Sequence, residues 1–381
     1  MRTIYLDYNA TTPLDEGVRE AMLQAEEAWG NPSSVHHLGQ AARALLDDAR
    51  DRAAVVLGCK PSELIFTSGG TESSNLAILG AARMRRDAGR HLITCGVEHH
   101  AVLHPCEYLA QNEGFDLTVL PVSNTGRVAV EAVAEAIRPD TVLVSIQAAN
   151  NEVGTVQPVA EIGAFCAERG VLFHSDAVQW AGKLHMPSVD CFRADLVSLC
   201  AHKLHGPKGA GLLYCKSPLQ LPPLLMGGAH ENERRAGTEN LPGIIGLVSA
   251  LEKFVSSPPF GGEEMEENIC LLKTCIKNIE GCTNISPSDS GDSLPNTTSF
   301  IVEGSDSMAL LSGFDLSGVC ASSGSACSSG SITPSHVVEA MGFPSSLANA
   351  LVRFSLGRET SRAELERVCE ILPSVVSRCR L

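Results

Sequence analysis

Between residues 60 and 215, short β-branched and aliphatic runs alternate with stretches of helical period, and that alternation leaves the chain few architectures to adopt. The runs are Leu64-Ile65-Phe66, His91-Leu92-Ile93-Thr94, Leu117-Thr118-Val119-Leu120, Val142-Leu143-Val144-Ser145-Ile146, Val171-Leu172-Phe173 and Leu196-Val197-Ser198-Leu199. Helical patterns lie between them, one over 72–86 and another over 159–169 that stops at Gly170, a residue suited to a left-handed C-cap. Strands spaced by helices pair in parallel, because each crossover needs roughly a helix of chain and each strand is then covered on both faces. The expectation is an α/β protein with a mostly parallel sheet.

The pattern breaks at Ser256-Ser257-Pro258-Pro259-Phe260-Gly261-Gly262. Beyond it the sequence predicts a helix over 263–278, a strand over 298–302, a serine- and glycine-rich loop, a strand over 352–355 and a closing helix from Arg362. At 381 residues the chain is long enough for two domains. We assign 16–257 to a large domain, and 1–15 with 258–381 to a smaller α+β domain.

Formal net charge is −15 with no dense Lys/Arg cluster, so a phosphate backbone has nothing to bind and no direct nucleic-acid contact is expected. No apolar run approaches the ~20 residues that span a bilayer. The amino terminus lacks a charged-then-apolar leader, and the expectation is a cytoplasmic protein without membrane contact. Fourteen cysteines occur without a Cys-x-x-Cys. Most sit in apolar runs, as Cys95, Cys166, Cys200 and Cys215 do, which predicts buried reduced thiols. Cys327 departs from this, lying in Ser322-Ser323-Gly324-Ser325-Ala326-Cys327-Ser328-Ser329-Gly330 with almost nothing apolar to bury it, which reads as an exposed, mobile loop.

Lys203 follows the run 196–200 directly, and Asp176 ends the segment after Val171-Leu172-Phe173. A strand-end lysine with a strand-end acid is what pyridoxal phosphate requires: the amine forms a Schiff base with the cofactor aldehyde, and the carboxylate keeps the pyridine nitrogen protonated. Alone, the same pair reads as a solvated loop lysine and a turn acid. Ser68-Gly69-Gly70-Thr71-Glu72, between a strand and a helix start, can offer backbone amides to a phosphate or simply cap the helix. His99, after the strand near Cys95, can stack on a flat ring and exchange protons, or be an ordinary hydrogen-bonded histidine. His202 and His205 lack the carboxylate of a His-Glu-x-x-His site, and no metal is expected.

Across nearly its whole length the chain resembles the cysteine desulfurases of the class V aminotransferase group, in the iron-sulfur cluster and nitrogenase branch. The matching segments are Tyr5-Leu6-Asp7-Tyr8-Asn9-Ala10-Thr11-Thr12-Pro13, Gly30-Asn31-Pro32-Ser33-Ser34, Thr67-Ser68-Gly69-Gly70-Thr71-Glu72-Ser73, Asn150-Asn151-Glu152-Val153-Gly154, the Lys203 segment, Arg235-Ala236-Gly237-Thr238-Glu239-Asn240, the Cys327 run and Arg353-Phe354-Ser355-Leu356-Gly357-Arg358. The resemblance implies a PLP-dependent fold type I enzyme and a homodimer. It implies that Lys203 carries the cofactor, Asp176 pairs with the pyridine nitrogen, Gln179 faces the ring oxygen and His99 stacks and transfers protons. It further implies that Gly70, Thr71, Cys200, His202 and, from the other subunit, Thr238 surround the phosphate, that Asn151 and Arg353 hold the carboxylate of L-cysteine, and that Cys327 is the nucleophile. The product would be alanine, with a persulfide on Cys327 for a sulfur-acceptor or scaffold protein.

Cys200 stands where the family has a serine on the phosphate; a thiol donates more weakly, so looser cofactor binding is expected. A selenocysteine lyase or another enzyme of this fold remains an alternative, as does, more remotely, a non-catalytic thiol or metal scaffold. An ordinary aminotransferase has no use for Cys327.

Overall fold

The computed structural model describes residues 3–260, 262–324 and 333–380. Its centre is a seven-stranded sheet in the order Leu64–Thr67, Gly211–Cys215, Leu196–Cys200, Leu172–Asp176, Thr141–Ser145, His91–Cys95, Asp116–Leu120. The pairings from Leu196–Cys200 through Asp116–Leu120 are all parallel. Gly211–Cys215 runs antiparallel to both its neighbours. Its reversal was not anticipated from the sequence, and it leaves Leu64–Thr67 pointing the same way as the parallel strands.

All seven strands except the edge strand Asp116–Leu120 are buried at every position, which is why they read as continuous apolar runs rather than alternating ones. His174 is an exception to that apolarity, and it is satisfied: its ring nitrogens lie 2.8 Å from Ser145 Oγ and 2.9 Å from Ser198 Oγ, linking three adjacent strands. The helix Gly70–Arg85 packs on the sheet with Leu76, Ala77, Ile78 and Ala81 inward. On the other face the helix Val159–Arg169 buries Ile162 and Cys166 and ends at Gly170 with φ 68°.

A second apolar cluster gathers around the antiparallel sheet Leu351–Ser355, Thr297–Val302, Cys282–Asn284 and the helices Glu263–Lys277 and Arg362–Cys379. Ile4 and Leu6 belong to it, since Ile4–Tyr5 pairs in parallel with Val319–Cys320. One expectation about the thiols fails here. Cys275 and Cys369, one on each of those two helices, are joined in a disulfide with Cα atoms 5.8 Å apart. No local pattern announces the pair, because the two are separated by 94 positions and only helix packing brings them together. Cys95, Cys166, Cys200 and Cys215 are free and buried, as read from their apolar surroundings.

Among the described residues no helix is long and apolar enough to cross a membrane, and no three potential ligands are grouped to hold a metal.

Candidate active site

The carboxyl ends of five co-directional strands share one edge of the central sheet, where open α/β sheets place their ligands. Leu64–Thr67 leads to Gly70, His91–Cys95 to His99, Thr141–Ser145 to Asn151, Leu172–Asp176 ends in the acid itself, and Leu196–Cys200 leads through the turn Ala201–Lys203 to the lysine. One cavity there is lined by Gly70, Thr71, His99, Asn151, Asp176, Gln179, Cys200, His202, Lys203 and Arg353. All of these were singled out from the sequence. Thr238 is exposed and does not line the cavity of the single chain. Cys327 lies outside the described residues.

The Lys203 turn is held from the amino-terminal segment: Thr12 N–H donates to the His202 carbonyl at 2.9 Å, and Asp15 N–H to that of His205 at 3.0 Å. Lys203 Nζ in turn donates to the carbonyls of Asn9 at 2.7 Å and Ala10 at 2.6 Å. Asn9 and Ala10 therefore belong to the site, together with Gln147. Their segment matched the family in sequence, but a backbone carbonyl leaves no mark in a sequence, so no role could be read there.

Burial sets the ionisation of the cavity. Asp176 is pushed up to about 6 by burial, against the Val178 N–H on Oδ1 and the nearby Lys203 charge, both of which favour the anion. His99 and His202 are each held near 4, first by burial and then by Lys203, so both are neutral at pH 7. His99 Nδ1 accepts from Ala101 N–H at 3.1 Å, which leaves its proton on Nε2. Burial raises the Cys200 thiol to about 11, so it is a neutral, weak donor.

Arg353 is 1% exposed and stands on the strand Leu351–Ser355, whose edge is fixed by mutual backbone bonds with Ser322. Nη1 donates to the carbonyls of Asn151 at 2.9 Å and Gly324 at 3.1 Å, and Nη2 to Asp7 Oδ1 at 2.6 Å. Nε has no partner. Nε and Nη2 form one edge of the guanidinium, the kind of edge that suits a carboxylate.

The donor set fits pyridoxal phosphate. The helix Gly70–Arg85 begins on Gly69, which supplies no side-chain cap, and the amides of Gly70, Thr71 and Glu72 have no acceptor among the described residues. Part of the capping reading is met all the same, since Glu72 Oε2 accepts the Ser68 N–H at 2.8 Å. A helix amino terminus with unspent donors is an anion site, and it opens onto the same cavity as a lysine amine and a buried carboxyl whose anion burial disfavours and a cationic partner would favour.

The sequence profile of the aminotransferase class-V family matches residues 4–368. A cysteine desulfurase IscS of Methanosarcina thermophila is 43% identical over 388 aligned positions, covering 100% of this chain and 93% of the relative. A putative cysteine desulfurase, IscS 1 of Bacillus subtilis, is 43% identical over 99% of this chain and its own entire length. Among solved structures, a NifS-like protein superposes with a TM-score of 0.90 at 35% identity, covering 99% of this chain and 100% of its own. SspA, solved in complex with cysteine, superposes with a TM-score of 0.81 at 36% identity over 94% of this chain and all of its own.

Proposed function

The chain belongs to the aminotransferase class-V family, and we infer that it is a pyridoxal-phosphate-dependent cysteine desulfurase, taking sulfur from L-cysteine and leaving alanine. The observation that carries this reading is the meeting of Lys203, Asp176, the open helix terminus at Gly70 and Arg353, with its unpartnered Nε, in one cavity.

When bound, the cofactor supplies an electron sink for bonds at the substrate α-carbon. The chain supplies position and protons. Lys203 carries the cofactor and, once released from it, is a base within reach of the substrate. Asp176 pairs with the ring nitrogen. Gly70, Thr71 and His202 hold the phosphate, with Cys200 a weaker contributor. His99 stacks on the ring and moves its proton from Nε2. Arg353 and Asn151 fix the substrate carboxylate, which orients the thiol of L-cysteine.

Cys327 is the acceptor of the sulfur. Its thiolate bonds to the substrate sulfur as the carbon–sulfur bond breaks; that electron pair stays with carbon, which takes a proton to become alanine, and a persulfide remains on Cys327. Geometry at the described flanks favours this. Gly324, the last described residue before Cys327 in the sequence, touches Arg353 through its carbonyl. On the far side Ser335 is hydrogen-bonded to Glu152 Oε2, the same carboxylate that a Cβ on Gly324 would meet at 2.7 Å. Glu152 thus lies beside both described flanks.

Exposed Thr238, outside the single-chain cavity, supports a homodimer in which the partner copy completes the phosphate site. A cytoplasmic location and a protein acceptor for the persulfide, in iron-sulfur cluster assembly or another sulfur pathway, complete the proposal. The test is release of alanine and sulfide from L-cysteine in the presence of a thiol reductant. Wild type should release both and Cys327→Ala should release no sulfide; undiminished sulfide from the variant refutes the assigned nucleophile. Parallel assays with L-selenocysteine separate this reading from a selenocysteine lyase.

A further inference from the structure

Lys183 is 1% exposed, among the largest fully buried side chains, yet no carboxylate faces it among the described residues. Burial pushes its amine well below the ordinary lysine range, with Lys203 and Arg353 adding to the effect. A buried amine without a counter-charge is costly, and the turn it occupies needs no amine for packing. What it touches is specific. Nζ donates to Asn9 Oδ1 at 2.6 Å and to Gln179 Oε1, and Phe260 closes the remaining side with its ring centroid 5.9 Å away.

A primary amide has an oxygen end and a nitrogen end, and a neighbour that donates to it holds the oxygen end toward itself. Lys183 therefore fixes two amides at once. With Oε1 turned to Lys183, Gln179 presents Nε2–H to the opposite side, where it donates to the Asn9 carbonyl at 3.0 Å and lines the cavity. With Oδ1 turned to Lys183, Asn9 directs Nδ2 to Asn151 O at 3.1 Å and Thr297 Oγ1 at 2.9 Å. The Asn9 backbone carbonyl is the acceptor that also receives Lys203 Nζ. One buried amine thus sits behind the glutamine, behind the carbonyl that parks the Schiff-base lysine, and behind the carbonyl of Asn151.

We propose that Lys183 is a positioning residue that holds Gln179 in the orientation presenting its N–H to the ring oxygen of pyridoxal phosphate and, through Asn9 Oδ1, holds in place the residue whose backbone carbonyl receives Lys203. This rests on the cofactor reading given above. A donor on the ring oxygen stabilises its anionic form, and so holds down the pH at which the visible chromophore of the holoenzyme loses its proton. Without Lys183, Gln179 is free to turn its carbonyl toward that oxygen, where it repels.

The experiment compares wild type, Lys183→Met, Lys183→Arg, Gln179→Ala and the double variant Lys183→Met/Gln179→Ala. The readouts are the pH midpoint of the visible absorption change, the dissociation constant for pyridoxal phosphate from fluorescence quenching, and the melting temperature of the apoprotein. Methionine fills a similar volume without a buried charge, so folding should survive; Lys183→Leu serves as the second donor-free variant if methionine does not accumulate. Lys183→Met should raise the midpoint by about one unit and weaken cofactor binding about tenfold, the equivalent of losing one hydrogen bond. Lys183→Arg, which restores donors, should return the midpoint toward wild type. In the Gln179→Ala background the methionine substitution should move the midpoint no further, as a shared route requires.

A midpoint unchanged in Lys183→Met, or one that shifts as far when Gln179 is absent, overturns the proposal while leaving the cofactor reading intact. Wild-type protein that takes up no pyridoxal phosphate overturns that reading and the proposal with it.

Discussion

Asp176→Asn separates what a buried acid does for the apoprotein from what it does for the loaded enzyme. Asparagine has the same shape and can keep the bond from Val178 N–H to Oδ1, which measures 3.0 Å, so packing is unchanged and charge alone is removed. In the folded chain the carboxyl is raised from 3.8 to about 6, chiefly by burial. An acid raised in this way binds more protons folded than unfolded, so it costs nothing well below pH 3.8 and its full penalty is present above pH 6. The shift of roughly two units at 1.36 kcal/mol each sets that penalty at up to about 3 kcal/mol. Denaturant unfolding of the apoproteins should therefore find Asp176→Asn more stable than wild type at pH 8 by up to about 3 kcal/mol, with the difference falling to about 0.5 kcal/mol at pH 4 and vanishing near pH 3. His174 and other buried groups are common to both proteins and cancel in the difference. In the holoprotein the order reverses: loss of a charge-assisted bond, about 1.5–3 kcal/mol, should weaken cofactor binding by ten- to a hundredfold. An apo stability difference that does not change with pH, or a wild-type apoprotein more stable at pH 8, refutes the argument that this carboxyl awaits a cationic partner.

Arg353→Lys should raise the KM for L-cysteine by ten- to a hundredfold, the equivalent of about 1.4–3 kcal/mol, because an ammonium cannot reproduce the bidentate edge; an unchanged KM in an alanine-release assay contradicts the assignment. Cys200→Ser should bind pyridoxal phosphate a few-fold more tightly, since a hydroxyl donates better than a thiol that burial keeps neutral; equal dissociation constants remove the idea. Gly324 has φ +78°, and a Cβ there would lie 2.7 Å from Glu152 Oε2. Gly324→Ala should then cost about 1–3 kcal/mol and slow sulfide release more than alanine binding weakens; a variant with normal turnover and melting temperature shows the turn to be dispensable.

Much of the site was legible because it hangs on strand ends. Apolar runs mark strands buried on both faces, and the residue following each run is carried to one edge of the sheet; Lys203, Asp176 and His99 could be placed in that way. What escaped is what no local pattern encodes. Gly211–Cys215 reads as one more apolar run, and nothing in its composition states that it lies antiparallel between two co-directional strands. The Cys275–Cys369 pairing depends on how two helices pack. Asn9 contributes through its carbonyl, and Lys183 through two amides, one of them 174 positions away. Arg353 was identified, but its ion pair with Asp7 spans 346 positions and shows only in the fold. Thr238 was assigned to the phosphate from the partner copy, and the single chain leaves it outside the cavity.

The central claim is a covalent link between pyridoxal phosphate and the amine of Lys203, and reduction of the holoprotein with borohydride followed by peptide mapping tests it directly. The account predicts one stably labelled peptide, containing Lys203, with the label absent from Lys183 and from the Lys203→Ala variant. A labelled peptide elsewhere in the chain, or none from protein that has taken up the cofactor, would contradict it.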